Sequence, residues 1–421
     1  AVGRERLSLL YVLLLVWLCF EFGRPANAFK IPMLISVVSF GAWVTRKNKQ
    51  WSTTRNWWLG FLAAMGVGIP LAANNFWAFW TTWDMAVRFF AVCLPLLSLL
   101  TTVRRVKVWG YTLIGIIGYV AAWAVFHQGY GPAGGPGAQD ENYVATMVGM
   151  SISFAYFSIF AEKRFLVKLL LGLSILIGCG AMIVQQNPSR GGFVALCVLA
   201  LYCLLRSRRK VLGFGLLSAG AVVVAAFAGP AYWKEISTTG DYEEGTGEMR
   251  LELWKIGVRM WKANPVVGVG ADNFRWRLGD YQSPEQFAKF GRPLTGSVIA
   301  HSLPVELLAE IGSAGVLALG MLVWLTWRDL GRIQKEISRS PPGSATADLR
   351  ALSCYADAVR AGMLAVLVNG VFLSLLYFSN LWLLIAVGSA IPYIYRSMTQ
   401  TKGTAPMAGP PRLAKRRRGM A

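Results

Sequence analysis

Apolar runs close to 20 residues long recur from one end of the sequence to the other. About 20 residues is what an α-helix needs to cross ~30 Å of hydrocarbon, and in lipid only helices or closed barrels satisfy their own backbone. An all-α, polytopic membrane protein is therefore expected, in agreement with a 55% hydrophobic content and a mean hydropathy of +0.46. The runs fall at about 7–22, 29–45, 57–74, 84–102, 108–127, 143–161, 169–185, 191–205, 211–229, 303–327, 351–376 and 379–395. Twelve spans would put both ends on one side. The first run follows Arg4 and Arg6 but lacks a small-residue cleavage site, so it reads as a retained span rather than a signal peptide.

The net charge of +21 would suggest nucleic acid if it were spread over a soluble surface. Here it is concentrated in alternate connections: Arg46 to Arg55, Arg104 to Lys107, Lys163 to Lys168, Arg206 to Lys210, Arg328 to Arg350 and the LAKRRRG tail. By the positive-inside rule these connections and both termini are cytoplasmic, so the charge reports topology and no nucleic-acid partner is implied. The opposite connections are short or neutral, such as HQGYGPAGGPGAQDE, except for one long segment. Four regions result: spans one to nine in 1–229, a long outer loop at 230–300, spans ten to twelve in 301–396, and a basic, disordered tail at 397–421. The six cysteines all lie in apolar runs without CxxC spacing and read as packing residues.

Under this topology the eighth and tenth spans present their N-termini to the outer face, where helix dipoles favour anions. Arg190 stands at the first of these ends beside Gly191 and Gly192, which would let a ligand approach the backbone. The competing reading is an interfacial arginine reaching for lipid phosphates. Arg88 lies four residues after Asp84 in the fourth span, as either a substrate ligand or half of a structural pair. In the outer loop GEMRLELWKIGVRMWKANPVVGVGADNF reads as an amphipathic helix that begins at Arg250 and stops at Asn264-Pro265, with a tight turn at Gly268 and Gly270. Its apolar stripe is Leu251, Trp254, Val258 and Trp261.

His301 is one of only two histidines, with His127. It precedes Ser302, a candidate N-cap, and Pro304, so the imidazole would hang before a helix N-terminus that keeps it neutral, as a general base requires. On that helix Glu306 and Glu310 would lie about 140° and 180° round the axis from His301. Neither is placed to orient the ring, and each is expected to hold a neighbouring loop or span. The outer acids cluster only as DYEE (Asp241 to Glu244), with no partner histidine to complete a metal-ligand set.

The stretches SRGG, GEMRLELW, NPVVGVGADNF and HSLPVELLAEIGSAG, with a long loop between the first and last, together resemble the O-antigen ligase and polymerase superfamily. The resemblance implies a fold similar to the C-type glycosyltransferases, in a bacterial inner-membrane enzyme working on the periplasmic face without a metal or other cofactor. A ligase of this family moves a polysaccharide from undecaprenyl pyrophosphate to the lipid A core and inverts the anomeric centre. Carried onto this sequence, the paired arginines are Arg190 and Arg250 and the histidine is His301; Arg88, Gly191 and Gly192 stand as further candidate substrate contacts from their positions alone. A polymerase using the same donor is the nearest alternative. A protein-glycosylating relative and a lipid-linked oligosaccharide transporter are the others.

Overall fold

The computed structural model describes residues 7–23, 31–46, 49–50, 54–134, 140–185, 189–207, 209–230, 233, 246–291, 293–294, 298–340 and 346–400. Among them there is no strand, and each of the twelve apolar runs is helical. The first half comprises α1 (Leu9–Phe22), α2 (Ile31–Val44), α3 (Arg55–Gly68), α4 (Asn75–Leu99), α5 (Val103–Phe126) and α6 (Glu141–Ala161). Next come α7 (Phe165–Ile183), α8 (Arg190–Arg206), α9 (Lys210–Phe227) and the amphipathic α10 (Thr246–Ala263). The chain then closes with α11 (Leu303–Arg339), α12 (Ala347–Gly370) and α13 (Ser379–Gln400). Seven of these, α4, α5, α6, α7, α11, α12 and α13, are long and apolar enough to cross a membrane. The chain is a multi-pass helical membrane protein.

Three boundaries differ from expectation. Helix α4 begins at Asn75 rather than 84, because Asp84 and Arg88 neutralise each other inside it instead of marking its edge. It passes through a π-helical turn at Arg88–Cys93. Helix α13 runs on to Gln400, into the region read as tail; the LAKRRRG sequence and the DYEE run lie outside the described residues. Helix α11 extends to Arg339 and is broken at Gly312, where φ is 69° and ψ is −163°.

That break is filled by backbone from the segment that follows α10. The amides of Val269 and Gly270 donate to the carbonyls of Ala309 and Glu310 at 2.9 and 3.0 Å, and the amides of Ser313 and Ala314 donate to the carbonyls of Pro265 and Val266 at 2.9 and 3.0 Å. Both halves of α11 thereby have their open ends satisfied by one segment, as a helix interrupted within an apolar environment requires. A Cβ on Gly312 would lie 2.5 Å from the Val266 carbonyl oxygen, and one on Gly268 2.4 Å from the Glu310 carbonyl carbon. With φ also positive at both, only glycine fits either position.

Helix α6 is the hub, buried along almost all of its length and packed against α5, α7, α8 and α12. Helix α10 lies across the first half of α11, where Gly257 meets Val305. Its buried face is Leu253, Ile256 and Met260, packed with Val269, Phe274, Leu278 and Ala309 into a second apolar cluster. This corrects the expected stripe of Leu251, Trp254, Val258 and Trp261, which is half-buried at the edge. The two indoles sit there because their N–H groups are used: Trp254 donates to the Ala300 carbonyl at 3.1 Å and Trp261 to Ser313 Oγ at 3.0 Å.

Candidate functional site

Helix ends on three segments converge at one end of α6. Ser189 caps α8 by accepting from the Gly192 amide at 2.9 Å, and its hydroxyl donates to Asn142 Oδ1, in the first turn of α6, at 2.6 Å. Gln185 adds a bond to the Glu141 carbonyl at 3.0 Å. Arg190, the first residue of α8, is thus fixed beside the start of α6. Arg250 lies one turn into α10 rather than at its start, and the Trp254 bond ties that helix to Ala300. His301 follows in left-handed backbone at φ 47°, an unusual conformation for a non-glycine residue and one that commonly marks a functional position. Ser302 is the N-cap of α11 by position, although its side chain makes no capping bond, and Pro304 occupies the first turn as expected.

Arg250 interacts electrostatically with both Arg190 and His301. Burial, and then the charge of Arg190, pushes Arg250 below the ordinary arginine value, while Asp140 acts the other way. Burial, and then the charge of Arg250, pushes His301 below 6.5, again opposed by Asp140. The imidazole is therefore neutral near pH 7, as the sequence suggested, but burial contributes most to this. Neither Arg250 nor His301 has a hydrogen-bond partner among the described residues. Two half-buried guanidinium groups that repel each other, one of them close enough to a neutral imidazole to shift it, form an arrangement that an anion would stabilise.

The remaining predicted residues have other surroundings. Gly191 and Gly192 are buried: a Cβ on the first would meet Asn369 Oδ1 at 2.9 Å and one on the second Ala145 at 2.6 Å. Helix packing rather than ligand approach explains why both are glycine. Arg88 pairs with Asp84 at 2.6 Å, as the spacing predicts, and donates to the Tyr377 carbonyl at 2.5 Å, tying α4 to the loop before α13. The other histidine, His127, stacks on Trp123 with centroids 4.1 Å apart and bonds its carbonyl.

A cavity of about 430 Å³ adjoins the site, lined by Trp77, Trp80, Asp84, Tyr143, Asp272 and Glu306, with Ile299 on its rim two residues before His301. Burial pushes the Asp272 carboxyl up, with Arg275 opposing. Glu310 stands behind the cavity: it accepts the Asp272 amide at 2.8 Å, the Phe274 amide at 2.9 Å and the Tyr377 hydroxyl. Glu306 accepts the Leu376 amide at 3.4 Å. Both acids hold loops, as expected from their angular positions. Among the described residues no group of three His, Cys, Asp or Glu is arranged to hold a metal ion.

Two participants escaped the sequence reading. Asp140 was readable, since Asp-Glu-Asn before an apolar run is an N-cap signal, and its side chain does accept the Asn142 amide at 2.8 Å. The Trp254–Ala300 bond had no local signal. Residues 186–320 match the family model described as O-antigen ligase, about a third of the chain, and the matched stretch includes Arg190, Arg250 and His301. The match supports assignment to that family. No curated protein matches the chain significantly.

Proposed function

Starting from that match, we propose that the chain is an O-antigen ligase: a metal-independent, inverting glycosyltransferase of the bacterial inner membrane. It moves polysaccharide from undecaprenyl pyrophosphate to the lipid A core at the periplasmic face. The observation that carries this reading is the mutual repulsion of Arg190 and Arg250 close to a neutral His301. A departing lipid pyrophosphate accumulates charge that guanidinium forks and the N-terminus of α8 stabilise. An acceptor hydroxyl needs a base that is unprotonated near pH 7, which His301 supplies.

The adjoining cavity has a different lining. Carboxylates accept hydroxyl hydrogen bonds and Trp77 and Trp80 offer stacking faces, chemistry that suits a sugar, while Asp84 and Asp272 are held in place by Arg88 and Arg275. The acceptor enters there, the donor lies along the arginines, and the proton passes from the acceptor hydroxyl to His301 between them. This partition keeps twelve spans, cytoplasmic termini and a periplasmic 230–300 loop as part of the proposal.

One gel of cell-envelope glycolipids tests the assignment. Cells carrying His301→Ala should accumulate full-length polymer on its lipid carrier beside bare lipid A core. Cores bearing a single repeat unit would identify the chain as a polymerase instead, and an unchanged ladder would remove His301 from the mechanism.

A further inference from the structure

At the opposite end of α6 lies a second cavity, of about 450 Å³. Helix α6 has 21 residues, so the two cavities are separated by ~30 Å, the thickness of a hydrocarbon core. If one adjoins the outer water layer, the other adjoins the inner one. Its polar wall carries Lys163, Lys168, Arg209 and Arg350 against a single carboxylate, Glu162. That carboxylate is already committed. It accepts the amides of Lys163 and Arg164 at 2.8 and 3.1 Å and the Tyr111 hydroxyl at 3.0 Å, and it pairs with Lys107. None of the four lining cations makes an ion pair with a described residue.

The rest of the wall is apolar, including Phe160 and Leu212. Beyond it the outward faces of α7 and α9 are apolar and open, with Phe165 76%, Leu166 71% and Val211 88% exposed. Helices α7, α9 and α12 all begin at this end, so their positive dipole ends add to the cations. A polar chamber with surplus positive charge thus opens onto a hydrocarbon-facing surface, a combination that suits an amphiphile with an anionic head. A small soluble anion would use only the first half of it.

We propose that this cavity binds a phosphate-bearing anion and that its occupant is an anionic phospholipid, with the headgroup on Lys168, Arg209 and Arg350 and the acyl chains along α7 and α9. The site is independent of the transfer reaction.

Native mass spectrometry of the full chain, released from mixed phosphatidylglycerol and phosphatidylcholine vesicles, tests this directly. The wild type should retain phosphatidylglycerol in preference to phosphatidylcholine. Arg209→Gln with Arg350→Gln should reduce that preference by about tenfold or more, whereas Lys335→Gln with Arg339→Gln, exposed cations on α11, should leave it intact. The single variants Arg209→Gln and Arg350→Gln give the same readout should the double variant fold poorly. Displacement of the lipid by millimolar inorganic phosphate would overturn the lipid assignment in favour of a soluble anion. Equal retention of the two lipids, or undiminished preference in the Arg209 and Arg350 variants, would overturn the site itself.

Discussion

The indole N–H of Trp254 donates to the carbonyl of Ala300 at 3.1 Å. Trp254 lies one turn after Arg250 on α10, and Ala300 precedes His301, so one hydrogen bond fixes the guanidinium helix to the peptide that carries the imidazole. Its net contribution to stability is about 1 kcal/mol, small beside the apolar cluster under α10, and its value lies in registration.

Trp254→Phe keeps the ring and removes the donor. The turnover number should fall by about tenfold, as expected when a reacting group is misplaced, with the donor KM and the thermal midpoint little changed. A rise in donor KM with unchanged turnover would show that the bond positions the arginine alone.

His301→Ala should lower transfer by about 10²–10⁴-fold, with donor binding nearly intact. His301→Gly removes the same imidazole but tolerates φ 47°, so it should be more stable than the alanine variant by about 1 kcal/mol while equally inactive. Thermal unfolding of the pair measures the difference, and equal midpoints would mean the left-handed backbone is unstrained.

The depressed proton affinity of His301 places the acid limb of the rate profile below pH 6.5. Asp140 works against that depression, so Asp140→Asn should move the limb to still lower pH. Stability follows the same group. Unfolded His301 takes up a proton near 6.5 and folded His301 only at lower pH, so within that window acidification favours the unfolded chain. A limb that moves upward in Asp140→Asn would contradict this placement of Asp140.

Glu310→Gln leaves an amide where the carboxylate accepts from Asp272, Phe274 and Tyr377. At least one buried donor then loses its acceptor, at a cost of about 1–3 kcal/mol. The thermal midpoint should drop, and protease sensitivity in the 265–290 segment should increase. An unchanged midpoint would show that water or a neighbouring group replaces the acceptor.

The positions of the helices were legible because apolar length is a local property: each run became a helix, and α10 stopped at Ala263, just before Asn264-Pro265. The placement of Arg190 and His301 at helix starts was legible because rare side chains there stand out. What escaped was made by contacts between distant segments. The apolar face of α10 was misjudged by two positions because Trp254 and Trp261 count as hydrophobic, yet each uses its indole N–H at the edge of the interface. Gly191 and Gly192 drew attention as glycines near an arginine, although Ala145 and Asn369, far away in sequence, explain them. Nothing near Gly312 signals that its helix is interrupted to admit residues 265–270.

That interruption decides how the chain can be recombined. Residues 265–270 supply backbone partners to both halves of α11, so the segment between α9 and α11 is not a cassette joined only at its ends. A chimera that exchanges 246–300 between related proteins should fail unless the donor's 303–314 travels with it, since the two pieces complete one another's main chain. In a diverging lineage these stretches would be inherited as one unit, while the intervening surface remains free to vary.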